Sequence, residues 1–250
     1  MEILNFRLNR SIAANHLKRR RLRASFRALS RKYRDYSMIH EAKYINNLEL
    51  VHGFRNIPGC VVECGVWRGG MIAGMAEVLG ADRRYFLFDS FEGLPQAREE
   101  IEGAAAVAWQ SDTESPNYLN NCTATEEEAA AAMKLSGAAS FSLIKGWFNE
   151  TLPPFVPPSE IAVLRLDGDW YESTRTCLEK LYPHVAPGGV VIIDDYYNWD
   201  GCAHAVNEFV SGFTPPRAVP RIRQFQDMVA YLTKPAATPS AKNGSSRPGQ

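Results

Sequence analysis

Two pairs of acids close two apolar runs in the C-terminal half of the chain. "VLRLDGDWYEST" sets Asp167 and Asp169 two apart around Gly168, and "GGVVIIDDYYNW" ends its apolar stretch on Asp194 and Asp195. Runs of this kind read as strands, and in open parallel sheets ligands sit just outside the carboxyl ends of the strands. Consecutive strands neighbour each other in such sheets, which forces Asp167, Asp194 and Asp195 together unless a cation neutralises them. All-oxygen ligation suits Mg²⁺ or Ca²⁺, and a site that leaves positions for water and substrate suits Mg²⁺ better. Capping of the next helix would account for one acid, as Asp169 or Ser173 could do, but not for four. An apolar strand ending in D-x-D is also how phosphatases of the haloacid dehalogenase type present an aspartyl nucleophile. Those need further Ser or Thr and Lys elements before a later acidic pair, and between Asp169 and Asp194 there is room for one helix only.

The other strand ends carry Glu63 and Gly65, then Asp89 and Ser90, then Gly146 and Trp147. The first loop, "VVECGVWRGG", bends at Gly65, Gly69 and Gly70, where glycine lets backbone pass close to a ligand. A dinucleotide pyrophosphate needs G-x-G-x-x-G with no acid inside it. This loop is G-x-x-x-G-G preceded by Glu63, which argues for a cationic ligand. Asp89 stands where nucleoside-binding sheets place a carboxylate for the ribose hydroxyls. A nucleoside bearing positive charge instead of phosphate is S-adenosylmethionine. A tight turn with a solvated Glu and a capping Asp would explain either feature alone; the two together indicate the cofactor.

The elements that must hold these residues alternate. Short branched-apolar runs at 60–65, 84–90, 140–146, 161–169 and 188–195 are separated by the helix-like segments "MIAGMAEVLG", "TATEEEAAAAMKLSG" and "STRTCLEKLYPHV". Strands alternating with helices make a parallel sheet covered on both faces. "AVPRIRQF" and "DMVAYLT" read as a closing antiparallel pair. Residues 1–58 read as a helical extension or lid, with Ile12, Leu17, Leu22, Phe26 and Leu29 along one face. Residues 59–234 form the main domain, 97–120 read as a loop or lid over the ligand, and 235–250 have the composition of a disordered tail.

At 250 residues, 45% hydrophobic and 22% charged, the chain has the composition of a globular protein with a sizeable core. No apolar run approaches the roughly 20 residues that span a bilayer, and the N-terminus lacks a signal-peptide core, so the expected compartment is the cytoplasm. Five scattered cysteines with no C-x-x-C pair suggest neither a disulfide framework nor a zinc site. The zero net charge conceals a basic arm: residues 1–34 carry eleven Arg and Lys against Glu2 alone. No aromatic residues are interleaved as single-strand binders use them, so the arm is expected to lie against acids of its own chain or of a partner subunit in a homo-oligomer, not on nucleic acid.

Taken in order, "VVECGVWRGG", "FDSFEGLP", "KGWFNETLP", "RLDGDWYEST" and "GGVVIIDDYYNWDGC" resemble the TylF/macrocin O-methyltransferase family, over about Ser37 to Lys234. The resemblance implies a Rossmann-like class I methyltransferase fold with a mostly parallel seven-stranded sheet, and Mg²⁺-dependent methylation of a hydroxyl on a sugar or glycosylated natural product. It implies Asp167, Asp194 and Asp195 as metal ligands and Asp169 as general base. Glu63, Gly65, Val66, Trp67, Asp89, Ser90, Gly146 and Trp147 fall where that family holds the cofactor, and "YSMI" places Met38 at its methionine end. The basic arm and the closing strand depart from the family pattern. A catechol-like acceptor and a non-catalytic scaffold are the alternative readings; the intact acids speak against the scaffold.

Overall fold

The computed structural model describes residues 2–214 and 219–235, with side chains from residue 16 onward. The chain opens with α1 (Glu2–Lys32) and α2 (Glu41–Gly53), then β1 (Cys60–Cys64), α3 (Gly70–Leu79) and β2 (Arg84–Asp89). Two short helices, α4 (Glu99–Glu102) and α5 (Ala104–Ser111), precede α6 (Glu126–Ser136), β3 (Ser140–Lys145), α7 (Phe148–Thr151) and β4 (Ile161–Leu166). The C-terminal part adds α8 (Tyr171–Leu181), β5 (Val185–Ile193), α9 (Asp200–Ser211), β6 (Arg223–Phe225) and β7 (Val229–Thr233).

The strands join in one seven-stranded sheet, ordered β3-β2-β1-β4-β5-β7-β6. The first five are parallel, and β7 runs antiparallel to both β5 and β6. Strands β1 and β4 are buried along their whole length, which is why they read as unbroken apolar runs instead of alternating ones. Odd-numbered residues of β1 and β4, Val61 and Val163, pack with Val190 and Ile192 toward α2 and α3. Val62, Leu164, Leu166 and Ile193 face the other way, onto Cys177 and Leu178 of α8 and Val206 of α9. Strand order reverses between β1 and β4, and in open α/β sheets the crevice at that switch point is the binding site.

Local chemistry sets the helix limits. Thr125 and Glu128 close a capping box at the start of α6, whose three first-turn glutamates meet the positive helix end. Helix α9 has no counterpart among the expected elements; its buried Cys202 and Val206 enter the core with the partly buried Phe209 and Val210 beside them. Residues 97–120 are partly helical, through α4 and α5, and not simply a loop.

The basic arm is part of the long helix α1. Phe26 is buried, with Leu22 and Leu29 half-buried against the core beside it. Leu17 is 51% exposed, so among the described side chains the apolar stripe begins at Leu22; the side chain of Ile12 lies outside them. Arg19 Nε reaches Glu49 at 2.5 Å, Arg23 pairs with the same carboxylate, Arg27 Nε reaches Glu41 at 3.0 Å, and Lys32 Nζ reaches Glu77 at 2.7 Å. Four of the arm's cations are thus matched by acids of α2 and α3. The five cysteines are free, four of them buried. The expected tail, apart from residue 235, lies outside the described residues, and among those described no helix is long and apolar enough to cross a membrane.

Candidate active site

Strand register brings the acids together. Glu63 of β1 stands opposite Arg165 of β4, and Arg165 opposite Ile192 of β5. Side chains alternate with period two along a strand, so Asp167 follows Arg165 and Asp194 follows Ile192 on the same face. Arg165 lies fully buried among them: Nη1 donates to Glu63 Oε1 at 2.6 Å and to Asp167 Oδ2 at 2.8 Å, and Nη2 to Asp194 Oδ1 at 2.5 Å. Lys43 arrives from α2 and donates to Asp194 Oδ2 at 2.6 Å and to its backbone O at 2.8 Å. Two cations of the chain itself thus hold Asp194. Burial would raise this carboxyl, but Arg165 and Lys43 outweigh burial and keep it below the usual carboxylate range.

The remaining acids are less well matched. Burial, opposed by Arg165, pushes Glu63 up to about 8, and Glu63 Oε2 is buried without a partner. Burial and the nearby charges of Asp169 and Asp167 drive Asp195 well above its ordinary value, and Asp195 Oδ2 is likewise unpartnered. Oxygens of Asp167, Asp194 and Asp195 lie within 4.8 Å of one another. A set of carboxylate oxygens with a buried orphan among them fits a hard divalent cation.

Asp169 sits where the chain leaves β4 through a tight turn. Its φ is +56°, and Trp170 N–H bonds back to Gly168 O at 2.6 Å. Left-handed backbone in a non-glycine residue costs of order 1–3 kcal/mol and persists only where the surroundings impose it. The turn releases Asp169 from strand alternation and lets it share the cavity with Asp167. Trp199 Nε1 donates to Asp169 Oδ1 at 2.8 Å. Burial, with the charge of Asp167, pushes Asp169 up to about 7 against this bond.

These groups open on a cavity of about 780 Å³ at the switch point. On its other side lies Asp89, whose Oδ2 accepts the Trp67 N–H at 2.8 Å and Oδ1 the Phe91 N–H at 2.7 Å. Trp67 and Phe91 have φ of +48° and +58°, so both donors come from strained turns that aim at this carboxylate. Each oxygen retains a lone pair for another donor. Gly65 has φ +85°, and a Cβ there would fall 1.8 Å from Asp167 O; only glycine lets the first loop pass the end of β4.

Met38, Glu63, Gly65, Val66, Trp67, Asp89, Ser90, Gly146 and Trp147 line this one cavity, as do Asp167, Asp169, Asp194 and Asp195. Ser90 Oγ is engaged in its own turn, donating to Gly93 O and accepting from Glu92 N. Gly69 is not part of the lining; it caps α3 with φ +78°, its Cα side pressed against Ala129. The sequence reading missed Arg165, Lys43, Trp109 and Trp199. An arginine inside a buried apolar strand was the legible signal for the first, because such a charge survives there only when paired. Nothing local marked Lys43 or the tryptophans.

The chain is 40% identical over 159 residues to the 8-demethyl-8-(2,3-dimethoxy-alpha-L-rhamnosyl)-tetracenomycin-C 4'-O-methyltransferase of Streptomyces olivaceus, covering 61% of this chain and 58% of that protein. It is 38% identical over 168 residues to the demethyldecarbamoylnovobiocin O-methyltransferase of Streptomyces niveus, covering 63% of this chain and 60% of that protein. The match thus spans about three-fifths of the length of these relatives. Among solved structures, the O-methyltransferase NovP is similar with a TM-score of 0.65 at 30% identity, over 80% of this chain and 82% of that one. Together with the strand order, this makes the fold that of the class I methyltransferases. The family match begins well before Ser37, so the basic arm lies within the family pattern and is not an addition to it; it stops short of β6 and β7, where the resemblance was already loose. Since a sequence model of the Macrocin-O-methyltransferase (TylF) family matches residues 3–219 of the 250, the chain belongs to that family.

Proposed function

We propose that the protein is an S-adenosylmethionine- and Mg²⁺-dependent O-methyltransferase acting on a hydroxyl of a sugar or glycosylated natural product. The observation that carries this reading is the charge balance at the ends of β1, β4 and β5. Five carboxylates, Glu63, Asp167, Asp169, Asp194 and Asp195, surround two cations, Arg165 and Lys43. Burial holds Glu63, Asp169 and Asp195 above their ordinary values, so the site is short of positive charge, which a divalent ion and a sulfonium would supply. The names of these relatives are those of O-methyltransferases, one of them acting on a rhamnosyl-bearing compound, and support the same reaction class.

In this reading Asp89 accepts from the ribose hydroxyls, and the orphan Glu63 Oε2 accepts from the cationic end of the cofactor with Met38 beside it. Asp167, Asp194 and Asp195 would hold Mg²⁺, whose chemistry when bound is to lower the pKa of a nearby hydroxyl. Asp169 takes the proton of the acceptor hydroxyl on the oxygen that Trp199 leaves free. Alignment of that hydroxyl with the methyl group supplies most of the rate, so the chain's main contribution is placement. Calorimetry with S-adenosylmethionine tests the reading, followed by turnover on glycosides and catechols with and without Mg²⁺. Absence of cofactor binding would overturn it, and turnover confined to catechols would replace the sugar acceptor.

A further inference from the structure

Three tryptophans from three separate elements meet beside Asp169. Trp109 lies on α5, Trp170 just before α8 and Trp199 just before α9. Ring centroids are 5.3 Å apart for Trp170 and Trp199, 6.0 Å for Trp109 and Trp199, and 6.3 Å for Trp109 and Trp170, every pair edge-to-face. Trp170 is buried, and its Nε1 donates to Pro95 O at 2.9 Å, as a core indole requires. Trp109 and Trp199 pack on Trp170 in the same small apolar cluster, but unlike it they are not fully covered. Trp109 and Trp199 are only half-buried, and both belong to the cavity wall. Around them the same cavity is lined by Asn117, Asn198, Arg98 and Glu172, side chains that present planar donors and acceptors.

We infer that Trp109 and Trp199 form the acceptor subsite and select a saccharide ring with an apolar face; this rests on the function proposed above. An indole face carries negative charge density, and the C–H groups of a pyranose face are weakly positive, so the two associate where water is excluded. The ring hydroxyls then project sideways toward the polar lining, an arrangement a flat arene with few hydroxyls does not use. Trp199 has a second part. By donating Nε1 to Asp169 Oδ1 it fixes the carboxylate and leaves Oδ2 for the incoming hydroxyl, so a ring resting on Trp199 has its edge at the base. Trp199 is thus a positioning residue for Asp169 as well as a wall, whereas Trp109 is a wall alone. Trp109 is carried by α5, so the 97–120 segment supplies this wall of the subsite.

The two roles separate kinetically. With a methyl 6-deoxyhexoside as acceptor, Trp109→Ala is expected to raise KM roughly tenfold with a smaller effect on kcat, and Trp109→Phe to recover most of the loss. Trp199→Phe keeps a ring but loses the N–H, and is expected to lower kcat roughly tenfold with KM close to that of the wild type. Calorimetric affinity for S-adenosylmethionine should be the same in all three variants, which shows that they fold. Quenching of tryptophan emission by the glycoside, without turnover, gives an independent reading that should weaken in Trp109→Phe and Trp109→Ala. An unchanged KM in Trp109→Ala, or glycoside that leaves the emission unaltered, would overturn the subsite. If the wild type quenched normally but transferred no methyl group, the proposed reaction would fail while the saccharide subsite stood.

Discussion

An Arg165→Met variant keeps most of the side-chain volume inside β4 and removes the charge from the centre of the sheet. Three carboxylates lose a partner, at 2.6 Å from Glu63, 2.8 Å from Asp167 and 2.5 Å from Asp194. Asp194 keeps Lys43, and the Asp167 side chain is 25% exposed and can be reached by solvent. Glu63, fully buried with its other oxygen already unpartnered, has no such recourse. Removing one partner of a buried ion pair costs about 3–5 kcal/mol. Glu63 escapes part of this by protonating, which places the expected loss near the lower bound, about 3 kcal/mol. For a chain of this size that corresponds to a fall in melting temperature of about 6–12 °C. The pH dependence has a definite sign. A carboxyl held at about 8 in the folded protein, against its usual value of about 4.5, binds more protons folded than unfolded between those limits, so its contribution to stability falls as pH rises. Without Arg165 the interval widens, and the deficit of Arg165→Met should therefore be larger at pH 8 than at pH 5. Melts followed by circular dichroism in EDTA measure this directly. Arg165→Met with Glu63→Gln should be more stable than Arg165→Met alone, because no carboxyl then has to take up a proton on folding. A melting temperature within about 2 °C of the wild type, or a double variant no better than the single one, would refute the reasoning.

Asp169→Asn should lower kcat by roughly 10²–10⁴ with unchanged cofactor affinity, as removal of a general base does; near-normal turnover would make Asp169 dispensable. EDTA should abolish methyl transfer and Mg²⁺ restore it, whereas Asp195→Ala should stay inactive at Mg²⁺ levels that saturate the wild type; full turnover in chelator would remove the metal from the reaction. Asp89→Ala should weaken S-adenosylmethionine binding by about 1.5–3 kcal/mol in calorimetry, the worth of a hydrogen bond to a charged group. Phe26→Ala should cost about 3–5 kcal/mol, because this 3% exposed ring pins α1 to the core, and limited proteolysis should then cut within α1 sooner than in the wild type.

Composition and pattern along the chain were enough for the parallel order of strands and helices, the closing antiparallel pair, and the row of acids at the strand ends. Those are local facts: an apolar run becomes a buried strand wherever it lies, and a residue just past such a run must stand at the sheet's edge. The loop glycine at Gly65 and the turn at Gly168 were legible for the same reason. What lies between distant segments was not. The register of β1 against β4 sets Glu63 opposite Arg165, and no property of either segment alone announces that pairing. Lys43 reaches Asp194 across 151 positions of sequence because α2 packs on the sheet face that these acids share. The tryptophan cluster likewise joins α5 to the turns before α8 and α9. Helix α9 was legible in principle and went unread: Cys202, Val206, Phe209 and Val210 recur at helical spacing toward one apolar cluster. The sequence by itself therefore determined which groups stand at the carboxyl edge of the sheet. Tertiary packing decided which of them are neutralised from within and which are left short of a partner, because charge compensation depends on distances of a few ångströms between segments far apart in the chain.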